Sequence, residues 1–366
     1  MSRAVAWHFL ASWLGEGPPP DVEPPYDLIS RIAYRHRLEP LLGCVALPET
    51  VPVALARRFH QAAAAARAEQ IARFGKTRAV LEVLRDWPVV VFKGFPAAEL
   101  LYPDVGARSM GDVDLLVRPA DFEMAYRALL AAGFRNPYAG DAVLDHPTHH
   151  ERELSDGELV VDLHQGFTQL YRLPLDYPAL FARSLPWTAL SPNARLLSAD
   201  DAVLAQAIHL GIGELTPQAA PIIGVCDLRL MLLRQSPFWG GAGGAEVDMD
   251  QLLALAASCG ASRMLYASLS FASALFPSIG SAVPRGLLLG AGVRALLDRV
   301  VARALPPAIS DPARVEQLWR KAVLLPPGAR WALLTHQTPL WLRYLAGIKR
   351  PGMNGTETSK PPKEGA

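Results

Sequence analysis

The chain has 366 residues, long enough to bury a substantial core in two domains or in one enlarged by a helical region. Its formal net charge of +1, from 36 Lys and Arg against 35 Asp and Glu, gives no overall pull toward nucleic acid or an anionic membrane, so any polyanion site must be local. Cys44, Cys226 and Cys259 are far apart and show no Cys-x-x-Cys spacing, which argues against a zinc site or a disulfide framework and fits a reducing cytoplasm.

The N-terminus lacks the apolar stretch and small-residue cleavage site of a secretory signal, and no uncharged apolar run is long enough to span a bilayer. A soluble, cytoplasmic protein with no membrane partner is expected. Residues 1–87 read as an N-terminal helical segment. Within it, residues 53–87 are alanine-rich, with Phe59, Ile71, Phe74, Val80, Leu81 and Leu84 at helical spacing, as one or two helices. Pro88 ends that pattern. Val89-Val90-Val91-Phe92 is a short run of β-branched and aromatic residues that predicts a buried strand. Lys93-Gly94-Phe95-Pro96 follows, and helix resumes at about Ala97 and reaches Tyr102. A loop over 103–111 leads to a second strand over 112–117, which Pro119 stops before opening a helix to about Ala132.

Two further strands are expected at 150–154 and 158–164, joined by Asp156-Gly157, where glycine supplies the positive φ of a tight hairpin. Beyond Leu196 the pattern is helical over 198–210, 222–233, 249–258, 261–275, 293–305 and 329–348, and the tail 351–366 reads as disordered. The organisation is a helical segment (1–87), an α/β core (88–195), a helical C-terminal region (196–350) and the tail. The fold class is α/β of the α+β kind, with a mixed sheet flanked by helices on one face.

Side chains alternate along a strand, so Asp112 and Asp114 share one face, and in the later strand Asp162 and His164 share one. Aspartate is disfavoured inside strands, and two at alternate positions need a reason. Three converging carboxylates would raise one another's pKa values unless a cation neutralised them. Mg²⁺ is the obvious candidate, since it takes oxygen ligands from a few carboxylates together with substrate phosphates. The bland alternative is that these are ordinary strand-end and turn acids.

Upstream, Lys93-Gly94 sits between a strand and a helix, where glycine lets the backbone approach phosphate and the helix N-terminus favours negative charge. Arg108-Ser109 adds a cation and a hydroxyl just before the acidic strand, although Arg108 alone would pass for a solvated loop residue. His164 lies within reach of an acceptor or a phosphate, and His149 and His150 begin the hairpin. His209, in an apolar helix, reads as a core histidine, and Asp227 as a buried acid paired with Arg229, Arg195 or a helix terminus.

Taken together, Lys93-Gly94, Arg108-Ser109, Asp112-Val113-Asp114 and Val160-Val161-Asp162-Leu163-His164 resemble the DNA-polymerase-β-type nucleotidyltransferases. The resemblance is strongest to a bacterial branch, the uncharacterised nucleotidyltransferases. It is more distant to the abortive-infection toxin nucleotidyltransferases, which share a Lys-Gly…Arg-x-Ser…Asp-x-Asp arrangement. It extends less specifically to Ala207-Ile208-His209 and Cys226-Asp227-Leu228. The resemblance implies a polymerase-β-like palm in which Asp112 and Asp114 bind two Mg²⁺ ions, Asp162 is the third carboxylate and activates an acceptor hydroxyl, and Gly94 lies at the phosphate-binding turn. The chain has Gly94-Phe95 where the superfamily usually has Gly-Gly or Gly-Ser, and the interval from Gly94 to Asp112 is longer than in compact members.

The expected activity is transfer of a nucleoside monophosphate from a nucleoside triphosphate to a hydroxyl of a protein, an RNA end or a small molecule, with release of pyrophosphate. Lys93 and Arg108 would neutralise the triphosphate. The alternatives are a degenerate nucleotide-binding protein serving a biosynthetic pathway, and a kinase-like or phosphohydrolase enzyme using the same acids. Replacing Asp112 or Asp114 by alanine is expected to abolish transfer and leave the protein folded.

Overall fold

The computed structural model describes residues 2–140, 150–168, 173–211, 222–233, 247–282, 289–305 and 323–325. His149, the helix expected over 329–348 and the tail lie outside the described residues. A six-stranded mixed sheet is built from β1 (Val89–Phe92), β2 (Val113–Leu116), β3 (Glu151–Ser155), β4 (Val160–His164), β5 (Leu185–Pro186) and β6 (Ala194–Leu196), in the order β3-β4-β2-β1-β6-β5. β1 runs antiparallel to β2, β2 parallel to β4, and β3 and β4 form the expected hairpin. At its turn Gly157 adopts φ +94°, and the Asp156 carboxylate accepts the Glu158 and Leu159 amides. β6 lies parallel to β1 and carries β5 at the sheet edge. β5 and β6 escape the sequence reading because two or three residues carry no usable alternation, and Pro186 is tolerated only because β5 is an edge strand.

The helices are α1 (Arg3–Trp13), α2 (Tyr26–Arg35), α3 (Glu39–Leu42), α4 (Val53–Val83), α5 (Gly94–Leu100), α6 (Phe122–Ala131), α7 (Tyr177–Arg183), α8 (Ala199–His209), α9 (Ile223–Leu232), α10 (Met249–Ser258), α11 (Ser262–Leu275) and α12 (Ala291–Ala304). The alanine-rich stretch forms one continuous helix, α4, of 31 residues. Its C-terminal end is tied to the sheet by Asn193, whose side-chain amide donates to the carbonyls of Leu81, Leu84 and Trp87. Leu101 and Tyr102 lie beyond α5, which starts at Gly94 rather than at Ala97.

Two apolar cores divide the work. On one face of the sheet Val89, Val91, Val113, Leu115, Val161 and Leu163 pack against Leu81 and Leu84, against Phe95 of α5, and against Phe122, Ala125 and Leu129 of α6. This is the helical layer the alternation predicts. The opposite face is not left open: Val90, Phe92 and Leu116 join a larger core shared with α1, α2 and the helices from α8 onward. Helices thus cover both faces, because β1 is apolar on both sides and must be buried on both. The acidic residues occupy the part of this second face that the helical core does not fill.

Candidate active site

Asp112 lies immediately before β2, and Asp114 is its second residue, buried at 5% exposure. The parallel register sets Asp114 directly opposite Asp162 and Leu116 opposite His164, while β1 sets Phe92 opposite Asp114. All of these therefore face the same side of the sheet. The hairpin adds Glu151 opposite His164 and Glu153 opposite Asp162, so β3 brings two more acids to that face.

Asp114 is the centre of the constellation. Its Oδ1 accepts from Lys93 Nζ at 2.6 Å and lies 2.9 Å from His164 Nε2. A carboxylate only accepts, so Nε2 carries the imidazole proton in this contact. Phe92 meets the His164 ring edge-on at 5.0 Å between centroids and lies 4.9 Å below the Lys93 ammonium, which fixes both groups. Burial works against the Asp114 charge, but Lys93 and His164 overcome it and hold the carboxyl well below the usual aspartate range. Burial likewise opposes the Lys93 charge, and Asp114 and Glu151 hold its proton well above the ordinary lysine range. Lys93 reaches this position from a backbone at φ +56°, ψ −123°, a conformation that costs a non-glycine residue about 1–3 kcal/mol and that persists where surrounding contacts enforce it.

The neighbouring acids are in the reverse condition. Burial, then Glu151, Asp114 and Asp112, push the Asp162 carboxyl well above its usual range. Burial and Asp114 raise Asp112 as well, with Lys93 and Arg108 partly offsetting them. One lysine thus serves a face carrying several carboxylates. Among the described residues Asp162 Oδ1 is buried with no hydrogen-bond partner, and so is His164 Nδ1, which stands 3.5 Å from Glu151 Oε2. A buried acceptor without a donor in a field of like charges fits a cation-binding position.

Donor atoms of Asp114, Asp162 and His164 lie within 4.8 Å of one another. The compact trio therefore contains His164 where the sequence reading put Asp112. Asp112 sits half-buried at the margin, coupled to Asp114 through charge.

The phosphate-binding residues expected upstream form a second cluster. Gly94 opens α5 directly against Arg108, and a β-carbon there would lie 2.8 Å from Arg108 Nη1. Arg108 is not a solvated loop residue. Its Nε donates to Asp227 at 3.0 Å and 3.2 Å, its Nη2 donates to Asp227 Oδ2 at 2.8 Å, and its Nη1 donates to the Ser109 carbonyl at 3.1 Å. Asp227 is fully buried in α9 and also accepts from Tyr102 Oη at 2.8 Å. The partners considered for Asp227 from sequence are engaged elsewhere: Arg229 with Glu16, and Arg195 with Ser184. Arg73 of α4 donates to the Met110 carbonyl, steadying the loop that carries Ser109 into Asp112.

His209 also belongs to this region. It ends α8 half-buried, and burial together with the positive charges of Lys93 and Arg108 pushes its pKa down to about 3. An imidazole that feels Lys93, Asp114, Arg108 and His164 borders the site, which its apolar helix neighbours conceal. Glu151 was the other omission, and strand alternation across the hairpin would have found it. His150 lies just ahead of β3, where its carbonyl accepts the Gln165 amide.

Among the described residues no helix is long and apolar enough to cross a membrane. No curated protein and no solved structure matches the chain. The sequence profile of one family does match, over residues 24–277, a span that runs from α2 through α11 and contains every site residue named above. The chain belongs to the uncharacterised nucleotidyltransferase family, and the buried cluster of acids with His164 fits a transferase of that kind.

Proposed function

We propose that the protein transfers a nucleoside monophosphate from a nucleoside triphosphate to a hydroxyl acceptor, with release of pyrophosphate, on a sheet that serves as a polymerase-β-like palm. The observation that carries this reading is the in-register pairing of Asp114 with Asp162 on parallel neighbours, with a buried Asp162 oxygen left without a donor among the described residues. A cation joining the pair would neutralise its charge and satisfy that oxygen. Asp112, Asp114 and Asp162 would hold two Mg²⁺ ions, which when bound lower the pKa of the attacking hydroxyl and neutralise charge on the leaving oxygen.

The chain's own residues divide the remaining tasks. Lys93 and Arg108 supply positive charge to the triphosphate, Gly94 lets the backbone approach it, and Ser109 offers a hydroxyl donor. His164, braced by Phe92, keeps the Asp114 carboxylate in one orientation. In the reaction the acceptor oxygen bonds to the α-phosphorus as the bond from that phosphorus to the bridging oxygen breaks, and the electron pair departs with pyrophosphate. Asp162 is assigned the hydroxyl proton.

The test is incubation of the purified protein with each labelled nucleoside triphosphate and Mg²⁺, followed by separation of the products. Pyrophosphate release with label on an acceptor is expected. Orthophosphate release would establish a kinase-like or phosphohydrolase enzyme instead, and tight binding with neither product would establish a nucleotide-binding protein. Labelling in a cell extract then identifies the acceptor.

A further inference from the structure

The loop before β2 is joined to α9 by the ionic bond from Arg108 to Asp227, which spans 119 residues of sequence. Its geometry is directional. The Nε and Nη2 edge of the guanidinium is given over to one carboxylate, whose Oδ1 is itself held by Tyr102. The Nη1 corner is turned to the Ser109 carbonyl and to Gly94, at the point where β1 passes into α5. Asp227 is fully buried and the Arg108 side chain is 11% exposed, so the pair cannot swing as a surface ion pair would.

An arginine tethered so firmly by its side edge is unsuited to searching for a ligand and well suited to presenting one fixed corner to it. Gly94 completes the argument, since a side chain there would occupy the space that Nη1 approaches.

We infer that Asp227 and Tyr102 are positioning residues that aim Arg108 at the triphosphate beside Gly94, making α9 of the helical region a functional part of the phosphate site. The inference rests on the nucleotidyltransferase reading above and deepens it. Asp227 touches no substrate, and its effect runs through Arg108. The ligand class is the polyphosphate of a nucleotide rather than its base or sugar, because a fixed guanidinium corner recognises oxyanions.

The consequence is selective loss. Asp227→Asn and Tyr102→Phe should weaken binding of the Mg²⁺-triphosphate about tenfold or more, the factor that corresponds to one lost hydrogen bond to a charged group. Neither should alter the affinity for the matching nucleoside monophosphate, which offers no β- or γ-phosphate. Asp227→Asn leaves Arg108 buried without its carboxylate and can unfold the chain, so Tyr102→Phe, which keeps both charges, is the companion variant. The double variant Arg108→Met with Asp227→Asn should bind triphosphate no more weakly than Arg108→Met alone, as expected when one residue acts only through the other.

Calorimetric titration of the full chain with Mg²⁺ and an α,β-methylene triphosphate, and separately with the monophosphate, decides the matter. Wild-type protein that binds no triphosphate overturns the nucleotidyltransferase reading itself. If the wild type binds it, then unchanged triphosphate affinity in Tyr102→Phe and Asp227→Asn, equal losses for both nucleotides, or additive losses in the double variant overturn the positioning role alone.

Discussion

Asp114 and Asp162 stand opposite one another on parallel strands, yet their carboxyl groups are in opposite electrostatic states. Asp114 is held ionised by Lys93 and His164, whereas burial and three neighbouring acids push Asp162 toward its protonated form. The two residues look equivalent in sequence and should respond differently to substitution.

The first consequence concerns stability without metal. The sequence treats Asp112 and Asp114 as equally removable like charges, but Asp114 is the counterion of a largely buried lysine. Asp114→Ala should therefore destabilise the metal-free protein by about 3–5 kcal/mol, the usual effect of removing one partner of a buried pair. Asp112→Asn and Asp162→Asn remove repulsion and should leave stability unchanged or raised. Urea unfolding of the three variants in EDTA checks this, and equal losses in all three would contradict the charge assignment.

Asp162→Asn should keep Mg²⁺-dependent triphosphate binding near that of the wild type and strongly lower the transfer rate. Partial recovery at higher pH is expected if deprotonation of the acceptor hydroxyl has become limiting. Rapid-quench rates across pH, with saturating nucleotide, provide the measurement. A normal rate would reduce Asp162 to a structural acid.

The pH dependence of stability follows from the same shifts. A carboxyl whose folded pKa is raised binds more protons in the folded state, so its contribution to stability grows as pH falls from that raised value toward the ordinary aspartate value near 3.8. The stability advantage of Asp162→Asn over the wild type, measured in EDTA, should thus be largest near pH 7 and shrink on acidification. His209 has the opposite sign. Its pKa is depressed from 6.5 to about 3, so the stability it contributes above pH 6.5 is lost progressively down to about pH 3. His209→Gln should accordingly lose less stability than the wild type over that window, as thermal unfolding at a series of pH values will show.

Gly94→Ala probes the close approach of α5 to Arg108. The added methyl meets a guanidinium that Asp227 does not release, so one or the other must shift. A loss of about 1–3 kcal/mol in unfolding free energy is expected for this overpacking, together with weaker triphosphate binding. A variant as stable as the wild type, with unchanged nucleotide affinity, would show that the contact is not tight.

Much of this site is legible in the chain. The β-branched run of β1, the alternation of Asp112 and Asp114, and the Asp156-Gly157 turn identify two strands and the hairpin, because period-2 patterns and turn chemistry are local. Face parity also tells that Asp162 and His164 point the same way. It does not tell which strand lies beside which, so the exchange of Asp112 for His164 in the compact trio became visible only with the register of β2 against β4. Arg108 reads from sequence as a loop cation for the triphosphate and Asp227 as a partner of Arg229, Arg195 or a helix terminus for a related reason: nothing local marks a pairing across 119 residues. His209 was concealed by the apolar residues of its own helix, which say how α8 packs and nothing about what its last turn meets.

The same long reach bears on how the protein is made. A ribosome extrudes the acidic strands and the Arg108 loop well before α9, so the nascent sheet has its carboxylates in hand while Arg108 still lacks the carboxylate that pairs with it. The buried partner of Arg108 arrives only when residue 227 has emerged and docked. A product truncated after the hairpin would carry every aspartate of the acidic face and leave the Arg108 guanidinium with no buried counterion from α9.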